Sequence, residues 1–489
     1  MIKVENLVNS VMDFAKIFPD KKAIITPHDS FTFKEFIEHL HQAIFYFQRH
    51  KIPKNSKVLF LVKANRYFPV LAYACFSYGL IPTFIDPQMG LKNLYHSIKK
   101  SDCQYLFASP ILLFLSFIFP TIKFRIYFKN IFKNKFHSNF PMDLVHRNPQ
   151  DEVCVIFTSG GTGTPKPISY TQMMLQTQKT ILRDVYRLTP QDIDAAGFPL
   201  FSLFTIGLGM TSSYLPMNPT KAAKCDGSKI AKWLIDQKIT FAAGSPAIWK
   251  NLIKKSTLSF PHLKSLVMFG APVPISLIEN LLSRMNDSSD VYTPYGATEA
   301  LPLTNISGRS VINYSKIKTQ EGHGICVGRP LDHAKIEIRN FYPDTKVGEI
   351  WVQSPVVTPS SKNYPWHFMG DLGYLDENNY LWFCGRQVHA FQSHAKWFFP
   401  VMLEAKYLKL DTIDRCALVP YKSLPLLIID SKDKNIILKE ELDSCTHDND
   451  MLKVRHYFYY NKFPVDARHN IKVDRIKLAK MVSKCQINV

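Results

Sequence analysis

Residues 153–166, Val-Cys-Val-Ile-Phe-Thr-Ser-Gly-Gly-Thr-Gly-Thr-Pro-Lys, decide the fold class. The apolar residues Val153 to Phe157 predict a buried strand. The glycines that follow let the backbone adopt positive φ and approach a ligand closely. Successive backbone N–H groups in such a loop form a concave anion site, and hydroxyl groups add donors. Together with the charge of Lys166, this pattern predicts a polyphosphate site made by Thr158, Ser159, Gly160, Gly161, Thr162 and Gly163.

Two other interpretations compete with the phosphate site for this loop. A Walker loop requires Ser or Thr directly after its lysine, and Pro167 stands there instead. A surface turn rich in Gly, Thr and Ser would look similar if the loop stood alone. Two motifs further along the chain favour the phosphate site over the surface turn.

The composition is that of a globular protein with more than one domain. The chain has 489 residues, of which 46% are hydrophobic and 20% charged, and its formal net charge is +20. A chain of this length divides into two or more domains. The positive charge favours anionic partners such as nucleotides, acidic carriers or anionic lipid. Because no zinc-finger, helix-turn-helix or RNP motif accompanies the charge, we expect no specific nucleic acid partner.

The cysteines and the N-terminus predict a cytoplasmic setting. The nine cysteines are scattered, and no two form a C-x-x-C pair. They predict reduced thiols, most of them as small buried apolar side chains. Residues 1–6 carry an early acidic residue and no continuous apolar stretch, so no secretory signal is expected.

The most apolar run, Ile111 to Phe119, lies between two prolines and is too short to span a bilayer. A peripheral contact with an anionic membrane, at its inner face, is one interpretation of this run. A buried helix followed by a solvated basic face is the other, and the sequence alone favours it. The basic residues concerned are Lys123, Arg125, Lys129, Lys133 and Lys135.

Short β-branched runs alternate with amphipathic stretches along the chain. Residues 57–62 and 81–86 predict strands, and residues 67–78 predict a helix between them. Residues 241–245 and 266–270 repeat the strand pattern. This alternation predicts parallel α/β sheets, in which ligands bind beyond the carboxyl ends of the strands. Besides the phosphate loop, the segments at such ends are Gly270, Ala271 and Pro272, and Tyr295 with Gly296.

The C-terminal part of the chain differs in composition from the rest. Gly385 is the last glycine of the sequence. We therefore predict a large domain over residues 1–386 and a small α+β domain over residues 387–489.

Two further motifs carry chemistry. In the first, Tyr295 is an adenine-facing aromatic candidate and Gly296 permits a tight turn. Thr298 and Glu299 then offer a hydroxyl and a carboxylate for a phosphate-bound Mg²⁺. In the second, the carboxylate of Asp371 can accept two ribose hydroxyls. Arg386 can pair with phosphate or ribose oxygens through its planar fork.

In this order and spacing, the three motifs resemble those of the adenylate-forming superfamily of acyl-CoA synthetases, luciferases and adenylation domains. The resemblance runs from Phe31 to Lys472 and implies parallel sheets with a small barrel-like subdomain and a mobile C-terminal domain. It implies that the loop binds ATP phosphates, that Tyr295, Thr298 and Glu299 bind adenine and Mg²⁺, and that Asp371 and Arg386 hold the nucleotide. It also implies that Lys472 closes over the α-phosphate and the substrate carboxylate during adenylation.

The chain departs from the family pattern at four places. Gly161 stands where the family usually has Ser or Thr, and Pro167 replaces a usual glycine. Ser202 occupies a position at which many acyl-CoA synthetases carry histidine. The glycine usually found before the catalytic lysine is absent before Lys472.

Four strings resemble one branch, the olefin-pathway β-lactone synthetases: residues 85–90, 198–201, 295–302 and 463–472. That resemblance implies activation of a β-hydroxy fatty acid as its acyl-adenylate. The β-hydroxyl group of the same molecule then displaces AMP and closes a four-membered lactone. The implied partners are a small acyl substrate, ATP and Mg²⁺, and pathway enzymes.

The segment after Arg386 supports the same branch by a physical argument. A tunnel for the pantetheine arm of CoA needs close backbone approach, yet residues 387–394 contain no glycine. A hydroxyl held within the substrate needs no such tunnel. His389 and His394 lie in this segment and are expected to be solvated.

Two alternatives remain open from the sequence. The first is a fatty acyl-CoA or acyl-carrier ligase, which would use CoA or a carrier thiol and would share every residue of the first half-reaction. The second is a degenerate homologue that binds nucleotide without catalysis.

Overall fold

The computed structural model describes residues 7–85, 89–133, 144–158, 165–359, 361–431, 439–445, 454–465 and 473–484. Several predicted site residues lie outside these ranges: Ser159, Gly160, Gly161, Thr162, Gly163 and Lys472.

A six-stranded sheet contains the strand that was predicted to lead into the phosphate loop. Its strands are parallel except for the last, which is antiparallel to its neighbour and forms one edge. Their order is Phe124–Tyr127, Tyr105–Ala108, Lys57–Leu61, Ile81–Ile85, Glu152–Thr158 and Lys166–Thr171.

A seven-stranded sheet forms the second half of the large domain. Its strands are parallel except for the edge strand Ser30–Thr32, which is antiparallel. Their order is Asp290–Tyr292, Ser265–Met268, Phe241–Gly244, Ile193–Ala196, Thr211–Tyr214, Lys22–Ile25 and Ser30–Thr32.

Helices cover both sheets. Tyr67–Tyr78 is buried from Phe68 onward, because it packs within the core on all sides. Helix Gln172–Tyr186 begins where the Thr171 side chain accepts a hydrogen bond from the Met174 backbone. The other α-helices of the large domain are Leu7–Ile17, Phe33–Arg49, Leu91–Ser101, Pro110–Leu115, Phe128–Ile131, Ser202–Gly207, Gly227–Asp236, Pro246–Lys255, Ile275–Leu282, Gly308–Ser310 and Lys316–Gln320.

Two antiparallel sheets follow the parallel ones and share one apolar cluster, which includes Ala300, Leu303, Ile350 and Val352. The five-stranded sheet has the order Ile325–Cys326, Leu381–Arg386, Trp366–Leu375, Gly348–Gln353 and Lys335–Arg339. The three-stranded sheet has the order Tyr295–Ala297, Ala300–Asn305 and Arg329–Pro330.

The C-terminal part forms a smaller unit of sheets and helices. Its hairpin pairs Phe391–Ser393 with Lys396–Phe398, and its three-stranded sheet has the order Ile413–Tyr421, Leu424–Ser431 and His456–Tyr459. Its helices are Pro400–Tyr407, Lys439–Asp443 and Arg475–Val482. The predicted fold class, a large α/β domain with a smaller C-terminal domain, is therefore confirmed. The division at residue 386 itself stays a prediction.

The structure corrects one prediction about the apolar run that begins at Ile111. The sequence favoured a buried helix, but helix Pro110–Leu115 contains no buried residue. The run is an amphipathic surface element whose apolar residues face solvent in large part. Among the residues described, no helix is long and apolar enough to cross a membrane.

Candidate nucleotide and acyl site

The phosphate loop connects two antiparallel strands of the six-stranded sheet. Thr158 ends the first strand and pairs in register with Lys166, which begins the second. The two ends of the loop are therefore held together by strand pairing. Pro167 is tolerated because its strand forms the edge of the sheet, where a missing backbone N–H group costs little.

The hydroxyl group of Thr158 lies buried at the start of the loop. Its Oγ1 is buried and has no hydrogen-bond partner among the described residues. A buried hydroxyl without a partner costs about 1–3 kcal/mol, so proteins rarely leave one unpaired. A phosphate oxygen would satisfy it, and the exposed Lys166 at the opposite strand end would add charge.

Asp371 and Arg386 face each other across neighbouring strands, where they are partners in register. Arg386 Nη1 lies 2.8 Å from Asp371 Oδ1 and also donates to the Met369 carbonyl at 3.0 Å. The Asp371 side chain is only 8% exposed. The second carboxylate oxygen, Oδ2, accepts a hydrogen bond of 2.7 Å from the Tyr295 hydroxyl.

This arrangement fixes the protonation of Arg386 and Tyr295. Burial alone would lower the pKa of Arg386, but the Asp371 carboxylate outweighs it and the pKa is raised. Burial raises the pKa of Tyr295 well above its ordinary value, and Asp371 raises it further. Arg386 therefore stays charged and Tyr295 stays a hydrogen-bond donor, so Asp371 is held by two donors.

Thr298 and Glu299 form the tight turn between strands Tyr295–Ala297 and Ala300–Asn305. Two hydrogen bonds fix the turn: the Tyr170 hydroxyl donates to the Thr298 carbonyl at 2.7 Å, and the Thr358 backbone N–H donates to the Glu299 carbonyl at 2.8 Å. Tyr170 belongs to strand Lys166–Thr171. The turn is thus tied directly to the strand that follows the phosphate loop.

Glycine is required at position 296. A methyl group there would lie 2.6 Å from the Ala300 carbonyl oxygen, which is closer than carbon and oxygen can approach. Gly296 lies within strand Tyr295–Ala297, which corrects the prediction of a tight turn at this residue, and glycine is required there by the close approach of the neighbouring strand.

His367 is a site residue that the sequence analysis missed. Burial lowers its pKa, while the carboxylates of Glu299 and Asp371 act in the opposite direction. Its Nδ1 lies 3.0 Å from the Ser361 hydroxyl. The spacing of four residues from Asp371 gave no signal, because the strand is irregular between the two residues, with Gly370 at φ 70°.

The segment Gly270, Ala271 and Pro272 follows strand Ser265–Met268, at its carboxyl end, as predicted. The residue before it, Phe269, joins an aromatic cluster. Its ring centroid lies 4.9 Å from that of Phe198 and 6.1 Å from that of Phe201. These rings form an apolar wall at the carboxyl edge of the seven-stranded sheet.

Ser202 does not act as a substitute for the histidine found in many relatives. It is completely buried, donates to the Pro199 carbonyl at 2.6 Å and lies 3.1 Å from the Tyr214 hydroxyl. Its hydroxyl is therefore committed to the turn and the core.

The two ends of the segment that carries Lys472 are held together, although Lys472 itself lies outside the described residues. Val465 and Val473 form an antiparallel bridge, and the Asp474 backbone donates to the Pro464 carbonyl at 2.8 Å. The next residue, Arg475, forms a buried ion pair with Glu404. Glu404 in turn accepts a hydrogen bond of 2.8 Å from the Leu418 backbone.

The two histidines after Arg386 differ. His394 is exposed at the turn of the hairpin, as expected. His389 is half-buried, which corrects the prediction that it is solvated. Burial, together with the charges of Arg475 and Arg386, lowers the pKa of His389 to about 4.

The sequence of residues 12–360 matches the AMP-binding enzyme family. The chain belongs to this family. The AMP-binding enzyme is 26% identical to the olefin beta-lactone synthetase of Xanthomonas campestris pv. campestris, in an alignment that covers 88% of this chain and 87% of that protein. It is thus an adenylate-forming ligase.

Solved structures show the same fold. An amide bond synthetase from Marinactinospora thermotolerans superposes with a TM-score of 0.83 at 17% identity, covering 97% of this chain and 99% of that one. The O-succinylbenzoate coenzyme A synthetase of Bacillus subtilis, in complex with ATP and magnesium ion, superposes with a TM-score of 0.79 at 18% identity, covering 96% and 99%.

The acidic residues of the AMP-binding enzyme fit a metal carried by a nucleotide. Among the described residues, no cluster of three His, Cys, Asp or Glu side chains could hold a metal ion by itself. Mg²⁺ in nucleotide enzymes is usually held by one or two carboxylates together with the phosphates. Glu299 would fill that role, and its carboxylate raises the pKa of both His367 and Arg386.

Proposed function

We propose that this enzyme activates a β-hydroxy fatty acid with ATP and then closes it to a β-lactone. In the first step a carboxylate oxygen of the acid attacks the α-phosphorus and pyrophosphate leaves. In the second step the β-hydroxyl oxygen attacks the acyl carbon, the bond to AMP breaks, and the hydroxyl proton passes to solvent. The likeness to an olefin beta-lactone synthetase over most of both chains supports this sequence of steps.

The observation that carries the first step is the network of Tyr295, Asp371 and Arg386. It holds a buried carboxylate by two donors, 2.7 and 2.8 Å away, and such a carboxylate suits the two hydroxyls of a ribose. Thr158 and Lys166, with the loop between them, would hold the triphosphate. Gly296 and the ring of Tyr295 would border the adenine.

Glu299 and Thr298 would hold Mg²⁺ on the phosphates, where the ion lowers the charge that the attacking carboxylate meets. Lys472 would neutralise the charge that develops at the α-phosphate. Losing one preorganised charge of this kind lowers a rate by roughly 10²–10³.

The hairpin after Arg386 supports an internal nucleophile. Its turn is made by His394 and Ala395, with φ of 49° and 60°. Glycine adopts this conformation most easily, yet the chain places two side chains there. We infer that no small-residue passage for a pantetheine arm is built at this turn, whereas a hydroxyl tethered to the acyl group needs none.

The aromatic wall of Phe198, Phe201 and Phe269 supports an apolar acyl substrate. Cytoplasmic placement is supported by the cysteines, since all eight described cysteines are free thiols and seven of them are buried. We place the enzyme in the cytoplasm on that ground.

The competing function is a fatty acyl-CoA ligase. The fold shared with a coenzyme A synthetase is compatible with it. The two functions separate on substrates matched in chain length. With ATP, the β-hydroxy acid should give continuous AMP release without CoA, and the plain fatty acid should stop after one pyrophosphate per enzyme. Continuous turnover of the plain acid only when CoA is present would favour the ligase.

A further inference from the structure

A group of exposed apolar side chains lies on the segment between two strands of the six-stranded sheet. It lies on helix Pro110–Leu115 and on the single 3₁₀ turn that follows. The group is called here the apolar cap. It consists of Ile111 (75% exposed), Phe114 (75%), Leu115 (54%), Phe117 (70%) and Ile118 (67%). Single exposed apolar residues are ordinary, but five within eight positions form a patch that marks an interaction site.

The apolar cap is firmly attached to the domain. Leu112 and Leu113 pack on the inner side, against the cluster that includes Phe119 and Ile122. Arg125 Nε donates to the Ser116 hydroxyl at 2.9 Å, and its guanidinium carbon lies 4.3 Å from the centroid of the Phe117 ring. The cap therefore presents a fixed apolar surface.

The neighbouring helix Leu91–Ser101 extends this surface. The Tyr95 ring lies 5.3 Å from the Phe119 ring, so the two elements touch. Leu91, at the start of that helix, is 86% exposed.

Basic side chains predominate in the segment of the chain that carries the apolar cap. Residues 89–133 contain seven Lys and Arg and one acidic residue, Asp102. The lysines among them are all exposed: Lys92, Lys99, Lys100, Lys123, Lys129 and Lys133. An apolar cap on a basic segment matches a surface that is apolar inside and negatively charged outside.

We propose that the apolar cap and its lysines dock this enzyme on the surface of an anionic lipid bilayer. A short apolar element bordered by lysines inserts to the depth of the headgroups, and the lysines contact acidic headgroups. A second copy of this chain fits less well, since a symmetric contact would bring the basic residues of one segment towards those of the other.

The cap lies near the edge of the sheet that also holds Thr158. Its helix follows the carboxyl end of strand Tyr105–Ala108. Strands 105–108 and 152–158 belong to the parallel part of one sheet, so their carboxyl ends share one edge. The docked membrane would therefore meet the edge on which Thr158 lies, which suits an enzyme that takes a lipid-derived acid.

Sedimentation with vesicles tests the proposal, using the full chain without ATP or acid so that the outcome does not depend on the proposed reaction. Vesicles of equal parts phosphatidylglycerol and phosphatidylcholine should bind the protein at low salt, and vesicles of phosphatidylcholine alone should not. Binding should weaken when ionic strength rises to about 1 M, where the Debye length falls to about 3 Å. Each lysine near the surface contributes roughly fivefold to partitioning, so Lys99→Glu with Lys123→Glu should lower binding by roughly 25-fold or more.

Apolar variants separate insertion from simple charge attraction. The triple variant Ile111→Ser, Phe114→Ser, Ile118→Ser should lose at least tenfold in binding to the anionic vesicles. Its matched control is Ile317→Ser with Phe341→Ser, at positions that are 67% and 60% exposed elsewhere on the chain. This control should bind like wild type. In addition, the fluorescence of Phe114→Trp should shift to the blue on adding anionic vesicles, and that of Phe341→Trp should not shift.

Three results would overturn the proposal. The first is absence of binding to anionic vesicles at low salt by the folded wild-type chain. The second is equal binding by the serine triple variant. The third is a self-association of the wild type that the triple variant abolishes, because that would identify a second copy as the occupant of the cap.

Discussion

Replacing Tyr295 by phenylalanine tests the nucleotide site at its centre. The change removes only the hydroxyl that donates to Asp371 Oδ2 at 2.7 Å and retains the ring. Asp371 keeps its ion pair with Arg386, so no buried charge is left without a partner. The variant therefore isolates the contribution of one donor to the orientation of the carboxylate.

The size of the effect follows from the charge on the acceptor. A hydrogen bond to a charged group contributes about 1.5–3 kcal/mol. If that energy serves to hold Asp371 for the ribose, the dissociation constant of ATP should rise roughly 10- to 150-fold. The measurement is ATP binding by calorimetry with Mg²⁺ present and no acid, followed by thermal unfolding of the same samples.

Tyr73→Phe is a matched control for this variant. Its hydroxyl donates 2.6 Å to the uncharged Leu203 carbonyl, away from the proposed site. Its loss should lower stability by about 1 kcal/mol and leave ATP binding unchanged. If Tyr295→Phe binds ATP as tightly as wild type, or if both variants weaken ATP binding equally, the Tyr295 hydroxyl does not hold Asp371 for the ribose.

Three further predictions concern the C-terminal domain. Lys472→Ala should lower acid-dependent pyrophosphate release by roughly 10² or more while the thermal unfolding curve stays that of wild type, and near-normal release would remove Lys472 from the mechanism. Because the pKa of His389 is about 4 in the folded chain and higher when unfolded, the unfolded state binds more protons between these values. Stability should therefore fall by up to about 3 kcal/mol as pH drops from 6.5 towards 4, and chemical denaturation of His389→Gln should show a correspondingly smaller pH dependence. Glu404→Gln leaves the buried Arg475 without its countercharge, so the free energy of unfolding should fall by about 3–5 kcal/mol; a variant as stable as wild type would show that the pair is not needed.

Much of the fold was predictable because its apolar pattern is local. The predicted helix over residues 67–78 has those same bounds in the structure, and the predicted strand at Val153–Phe157 extends by one residue at each end. Both segments are apolar throughout and buried, so no other arrangement competes with the burial of their side chains. Asp371 and Arg386 were singled out within one motif, and strand pairing places them opposite each other.

The parts that escaped prediction depend on contacts between distant residues. The bond from Tyr170 to Thr298 joins positions 128 residues apart, and nothing local to either residue announces it. The apolar cap was misjudged for a related reason. A run of Ile, Leu and Phe has the same composition whether it lies inside a domain or on its surface, and only the packing of the neighbouring helix and strands decides.

In the proposed reaction, the nucleophile of the second step is the hydroxyl of the substrate itself. The direct test incubates the purified enzyme with ATP, Mg²⁺ and a β-hydroxy fatty acid, with and without CoA, and follows AMP and the organic product by mass spectrometry. We expect AMP release at the same rate in both mixtures and a product lighter than the acid by the mass of one water molecule. AMP release that requires CoA, with accumulation of the acyl-CoA thioester, would contradict the claim.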